Sequence, residues 1–261
     1  MRFGIATLVT ITATSLIVVG CGNDHTPSSP TVVVGETKVS SPPPAPTATM
    51  MFQPPVVLYA TGDMADCDPG HKNVLGGLFG HQHLARLLST LGLNGRDRIF
   101  LALGDLAYFQ GRPEQFKNCY DQAFRYVKNF TRPTPGNHEY EEDKNAGGYF
   151  SYFDSIPPYY SLLDIPGDYW LVISGNSNLT GGAKAAYLIW LENYLASNNR
   201  PCVILYEHYP RFSSGIGGNR PEVVDEFTLA YKYKATIFLS GHDHGYERFG
   251  PQDPNGRFDQ N

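Results

Sequence analysis

Short apolar runs that stop in loops carrying glycine and a metal-type side chain recur along residues 56–261, and this repetition constrains the fold more than any other feature of the chain. Residues 56–60, 98–103, 202–206 and 236–239 read as strands, with a shorter fifth over 132–135 and a sixth over 169–174. Between them lie stretches with helical spacing: 72–93, 112–129, 183–195 with Leu188, Leu191 and Leu195 on one face, and 221–231 opened by Pro221. Strands alternating with helices predict an α/β domain whose strands are buried on both faces. In open α/β sheets, sites gather at the carboxyl ends of strands, so the loops are expected to converge.

Five of the strands run into polar blocks: Gly62-Asp63, Gly104-Asp105-Leu106-Ala107-Tyr108, Gly136-Asn137-His138-Glu139, Glu207-His208 and Gly241-His242-Asp243-His244. Their side chains are oxygen and nitrogen donors suited to hard or borderline metals, and no thiolate is among them. Taken in order, the blocks resemble those of the calcineurin-like metallophosphoesterases. Through Asp105-x-x-Tyr108 they look most like the purple acid phosphatase branch. The first block departs from the wider family, whose Asp-x-His becomes Asp63-Met64-Ala65 here, and Tyr108 stands in as the compensating ligand.

The resemblance implies a four-layer α/β/β/α sandwich and a dinuclear phosphohydrolase that cleaves phosphomonoesters by attack of a metal-bound hydroxide. Asp63, Asp105, Tyr108 and His244 would hold one metal. Asp105, Asn137, His208 and His242 would hold the other, with Asp105 bridging. The first set offers three potential anions and suits Fe³⁺; the second suits Fe²⁺, Zn²⁺ or Mn²⁺. Such a pair would leave roughly two positive charges to attract a phosphate. His138 matches the family's outer histidine, expected to act as general acid. Glu139 or Asp243 is expected to orient a neighbouring imidazole, and Arg211 to contact substrate or to belong to a surface turn. The same metal core would serve a phosphodiesterase or nucleotidase, and a surface lipoprotein that binds metal or phosphate without turnover is the alternative from another class.

The partner expected is a small phosphorylated molecule. With 20 Lys+Arg against 25 Asp+Glu, a net charge of −5, the chain has no bulk electrostatic reason to bind nucleic acid. The uncharged run 3–20 behind Arg2 reads as a secretory signal. Val18-Val19-Gly20-Cys21 resembles a bacterial lipobox, which implies a lipid anchor on Cys21 and a place in the cell envelope; an ordinary cleaved signal would instead give a secreted protein. Eight of the 20 prolines fall in residues 22–55, the composition of an extended tether. The expected organisation is thus a signal over 1–21, a tether over 22–55 and one phosphoesterase domain over 56–261. Because the family usually continues with further strands, the sheet edge at the carboxyl end is expected to be incomplete. Gly80-His81-Gln82-His83 repeats the last block's pattern but falls within a helical stretch, where i and i+2 do not share a face, so metal binding is not expected there. An exported chain can pair Cys67 with Cys119, although connectivity is not legible from sequence. Gly147-Gly148 and Gly217-Gly218 read as mobile loops near the site.

Overall fold

The structure is a computed structural model that describes residues 9–11, 14–16, 56–67, 80–162, 165 and 168–259. Cys21 with its lipobox, the 22–55 tether and the first part of the expected 72–93 helix lie outside the described residues. Near the amino end, β1 (Val9–Ile11) and β2 (Thr14–Leu16) pair antiparallel. The chain continues through β3 (Val57–Thr61), β4 (Ala65–Asp66), α1 (Gly80–Thr90), β5 (Arg98–Leu103) and β6 (Ala107–Tyr108). Next come α2 (Pro113–Gln115), a π-turn (Phe116–Tyr120), α3 (Asp121–Phe124), β7 (Thr131–Thr134), α4 (Asn137–Glu141) and α5 (Gly147–Tyr152). The last stretch holds β8 (Tyr160–Leu162), β9 (Trp170–Ser174), α6 (Gly181–Ala196), β10 (Cys202–Tyr206), α7 (Val224–Lys232) and β11 (Ile237–Leu239).

Two sheets face each other. One is parallel, in the order β3-β5-β7; the other runs β11-β10-β9-β8, parallel except for β8. The two-residue period of a strand sorts the side chains into three cores. Leu58, Ala60, Ile99, Leu101 and Leu103 meet Trp170, Val172, Cys202, Ile204 and Tyr206 between the sheets. The alternate residues Tyr59, Phe100 and Ala102 pack outward on Leu84 and Leu88 of α1 and on Phe116, Tyr120 and Phe124. On the far side Leu171, Ile173, Val203 and Leu205 pack on Tyr187, Leu191 and Leu195 of α6 and Ala230 of α7. The result is the four-layer α/β/β/α sandwich. Both faces of each central strand must be apolar, which is why these strands read as unbroken hydrophobic runs. Polar ties join the sheets where β7 runs: the Tyr160 hydroxyl donates to the Pro133 carbonyl (2.7 Å), Tyr206 to Arg132 (3.1 Å) and Thr134 to Gly175 (2.6 Å).

Some elements differ from expectation. The helix expected over 112–129 ends at Phe124. Thr131 then takes the Val127 carbonyl with its hydroxyl (2.9 Å), which turns the chain into β7. The buried stripe of α6 is Tyr187, Leu191 and Leu195, with Leu188 only half-buried, because the helix is rotated to bring the larger tyrosine into the core. Gly147-Gly148 is not a mobile loop but opens α5. Asp143 caps the Gly147 N–H (2.8 Å), and Tyr149 and Phe153 anchor the turn in the aromatic core. Gly148 must be glycine because an added Cβ would lie 2.0 Å from the Gly111 carbonyl. Cys67 and Cys119 form a disulfide with Cα atoms 5.6 Å apart, tying β4 to the helical turn after α2.

Candidate metal centre

The five blocks occupy the carboxyl ends of β3, β5, β7, β10 and β11, so the parallel strands of the two sheets deliver them to one end of the sandwich. Backbone shape then aims the side chains. Asp63, Asp105, His242 and His244 all have positive φ, at 56°, 51°, 74° and 38°. A left-handed conformation costs a non-glycine residue about 1–2 kcal/mol, and such strain persists where surrounding structure over-determines it. Two glycines make the close approach possible. A Cβ on Gly104 (φ 86°) would lie 2.6 Å from His208 Nδ1, and one on Gly136 would lie 2.1 Å from Asp105 Oδ1.

Two groups of donor atoms result, and they share one oxygen. In the first, the Tyr108 hydroxyl donates to Asp63 Oδ1 at 2.9 Å, lies 2.9 Å from His244 Nε2 and is 3.4 Å from Asp105 Oδ2. His244 Nε2 in turn lies 3.4 Å from Asp63 Oδ1. In the second, His208 Nε2 lies 3.2 Å from the same Asp105 Oδ2, 3.1 Å from Asn137 Oδ1 and 3.2 Å from His242 Nδ1. Ligand atoms of Asp105, His208 and His242 all fall within 4.8 Å of one another. His208 Nδ1 donates to the Leu103 carbonyl at 2.8 Å, so its Nε2 faces the cluster. The outer oxygens are spent on backbone: Asp105 Oδ1 accepts the His138 N–H (2.9 Å) and Asp63 Oδ2 that of His242 (2.8 Å).

The charges are tightly coupled. Burial pushes the Asp105 carboxyl up, but the His208 and His138 side chains and the His138 N–H outweigh it and hold the carboxyl below its usual range. Burial opposes a charged His208, yet Asp105 raises it to about 9. Burial, with His208 and Arg220 nearby, lowers His242 to about 4. Burial and the carboxylates of Asp63 and Asp105 hold the Tyr108 phenol protonated far above its usual range. Protons are therefore doing between these anionic and neutral donors what a cation would do better.

His138 stands at the edge of this cluster. Its Nδ1 meets the Phe109 carbonyl at 2.5 Å and Glu141 Oε2 at 2.8 Å, and its Nε2 faces Asp105 Oδ2 at 3.7 Å. The carboxylate beside this imidazole is thus Glu141, one helical turn along α4, which the sequence reading did not single out; its (i, i+3) spacing on a helix was the available signal. Glu139 has a different task. It is fully buried and accepts the N–H groups of Gly136 (2.7 Å), Leu106 (2.8 Å) and Asp105 (3.0 Å), clamping the loop after β5 to the loop after β7. Asp243 accepts the Ser213 hydroxyl and the Gly217 N–H (2.8 Å), which fastens the 213–217 loop rather than an imidazole. Gly217-Gly218 is correspondingly tied down. Arg211 turns away, donating to the Pro254 carbonyl at 3.0 Å. Arg220, not foreseen, reaches the site instead and hydrogen-bonds His242 Nε2. His81 is buried and His83 exposed, as their i, i+2 spacing on α1 requires.

Comparison with known proteins agrees with this geometry. The calcineurin-like phosphoesterase family model matches residues 54–246. An acid phosphatase of Aspergillus ficuum is 39% identical over 74 residues, covering 27% of this chain and 12% of that protein. The Fe(3+)-Zn(2+) purple acid phosphatase 12 of Arabidopsis thaliana is 28% identical over 179 residues, covering 59% of this chain and 38% of that protein. The chain thus spans well under half the length of these curated relatives. Among solved structures, the fold is similar to purple acid phosphatase PPD1 from yellow lupin (Lupinus luteus) seeds, with TM-score 0.51, 19% identity and coverage of 71% and 37% of the two chains. It is also similar to GAP50, the anchor in the inner membrane complex of Plasmodium, with TM-score 0.51, 15% identity and coverage of 71% and 65%.

Proposed function

The chain belongs to the calcineurin-like phosphoesterase family, and from that premise we propose that it hydrolyses phosphomonoesters at a two-metal centre. Asp63, Asp105, Tyr108 and His244 hold one ion, and Asp105, Asn137, His208 and His242 the other. The observation that carries this reading is the position of Asp105 Oδ2, 3.4 Å from the Tyr108 hydroxyl and 3.2 Å from His208 Nε2, at the junction of two donor sets. The donors fit such ions: carboxylates, an amide oxygen, a phenol, and imidazoles, with Nε2 of His208 already turned inward. When bound, a metal pair polarises a phosphoryl group and makes water acidic enough to act as nucleophile near neutral pH. The phenol makes the first set the better home for Fe³⁺, with Fe²⁺, Zn²⁺ or Mn²⁺ in the second.

The chain's own groups do the rest. With Nδ1 anchored on Phe109 and Glu141, His138 presents Nε2 to the site, where its protonated form donates to a phosphoryl oxygen or gives a proton to the departing alkoxide. Glu141 holds the ring in place through Nδ1, and Glu139 fixes the spacing of the Asp105 and Asn137 loops. Turnover of p-nitrophenyl phosphate and of bis-p-nitrophenyl phosphate, each with and without chelator, tests the reading. Chelator-sensitive hydrolysis of the monoester in preference is expected. Preference for the diester points to a phosphodiesterase, and no chelator-sensitive hydrolysis of either refutes catalysis.

Export followed by lipid anchoring at Cys21 belongs to the same proposal. It is supported by the lipobox residues and by the Cys67–Cys119 disulfide, which favours an oxidising compartment. Mass spectrometry of the mature amino terminus tests it: an acylated Cys21 is expected, and a Cys21 recovered as a thiol or in a disulfide overturns the anchor.

A further inference from the structure

Arg220 sits beside the donor cluster, but on a partner it cannot keep once a metal is bound. Its guanidinium hydrogen-bonds His242 Nε2, and the opposite nitrogen of that ring, Nδ1, faces His208 Nε2 at 3.2 Å inside the donor cluster. A neutral imidazole has one lone pair and one N–H. While Nε2 accepts from Arg220, the ring proton is on Nδ1, on the side of the cluster. Once Nδ1 gives its lone pair to a metal ion, the proton moves to Nε2, and two donors then face each other. The hydrogen bond that parks Arg220 is therefore incompatible with a metal on His242.

The released guanidinium has little other use for its donors. Its Nε is buried without a hydrogen-bond partner, and the nearest carboxylate oxygen to Nη1, on Glu222, is 3.9 Å away. It also cannot drift far. The guanidinium lies over the Tyr209 ring at 4.9 Å, the Arg220 N–H donates to the Pro210 carbonyl at 3.1 Å, and Pro221 starts the helical turn that follows. A planar fork with unused donors beside a two-metal centre matches the geometry of a terminal phosphate.

We infer that Arg220 is a substrate-binding residue held on His242 in the metal-free protein and freed by metal binding to grip the terminal oxygens of a phosphomonoester. The inference rests on the two-metal reading above and narrows its substrate class. A monoester has three terminal oxygens, enough for two metals and an arginine, whereas a diester has two. Arg220 is then what favours monoesters.

The test uses the full chain, stripped with chelator and reloaded with Mn²⁺, and compares wild type with Arg220→Met and Arg220→Lys. Calorimetric titration with inorganic phosphate is expected to show at least tenfold weaker binding to the loaded Arg220→Met protein, with Arg220→Lys, which keeps the charge but loses the fork, in between. Titration of the stripped proteins with Mn²⁺ is expected to show Arg220→Met binding the ion at least as tightly as wild type, since no parked arginine has to be displaced. Phosphate affinity within twofold of wild type in both metal-loaded variants overturns the inference alone. A wild-type chain that takes up no Mn²⁺ overturns the two-metal reading and this inference with it.

Discussion

One chemical change, glycine to alanine, is expected to act with opposite sign at Gly136 and Gly182. Gly136 has φ −100° and ψ −172°, an extended conformation open to any residue, so alanine there meets no backbone strain. It meets Asp105: the new Cβ would be 2.1 Å from Oδ1 and 2.4 Å from the backbone nitrogen, so the carboxylate must withdraw by about 1 Å. Overpacking of this kind costs about 1–3 kcal/mol. For a domain of this size, that lowers the melting temperature by about 2–4 °C per kcal/mol, or about 2–12 °C in all. The same displacement moves the shared oxygen of the two donor sets, so affinity for divalent metal is expected to drop at least tenfold. Gly182 lies in the first turn of α6 with nothing within 4 Å of its would-be Cβ. Alanine there removes backbone freedom from the unfolded chain and gains about 0.5–1 kcal/mol, with metal affinity unchanged. Thermal melts of the metal-free proteins and calorimetric metal titrations read both effects. If Gly136→Ala melts and binds metal like wild type, the close packing of Gly136 on Asp105 does not set the site.

Removing the Cys67–Cys119 disulfide as a double serine variant frees a loop spanning 52 positions of sequence separation, expected to cost about 4 kcal/mol of stability in a denaturant titration. Burial and Asp105 raise the Glu139 carboxyl from 4.5 to about 7, so the folded metal-free protein keeps a proton there that the unfolded chain has released. Stability is therefore greatest below pH 4.5 as far as this group is concerned. It falls by up to about 3 kcal/mol as pH rises towards 7, a slope that Glu139→Gln is expected to flatten in melts across that range. Tyr108→Phe is expected to lose a tyrosinate-to-iron absorption band in the visible from the iron-loaded protein, and a fully active variant that keeps its iron would refute the phenol as a ligand. His138→Ala is expected to leave metal affinity intact while lowering kcat for p-nitrophenyl phosphate by about 10²–10⁴.

The sequence by itself determined six of the strands, β3, β5, β7, β9, β10 and β11, and the ligand-type blocks at the ends of five of them, whereas β4, β6 and β8, two or three residues each, and the order of strands within each sheet came only with the structure. Burial on both faces leaves a central strand little choice but an apolar run, and a loop that turns from sheet to site shows its glycine. Residues 98–103 and 202–206 are legible for this reason, and so are Asp105, Asn137 and His208. What depends on side chains meeting from distant parts of the chain needed the tertiary structure. Glu139 looks like a helper for an imidazole until the Asp105 loop, more than thirty residues earlier, is laid against it and its carboxylate is filled by three backbone N–H groups. Arg211 and Arg220 are equally basic in the sequence, and only the path of the 213–220 loop, fastened by Asp243, turns one towards Pro254 and the other towards His242. Short elements such as α5 were hidden because their stability comes from what Tyr149 and Phe153 bury against, and local propensity carries no record of a partner that arrives through space.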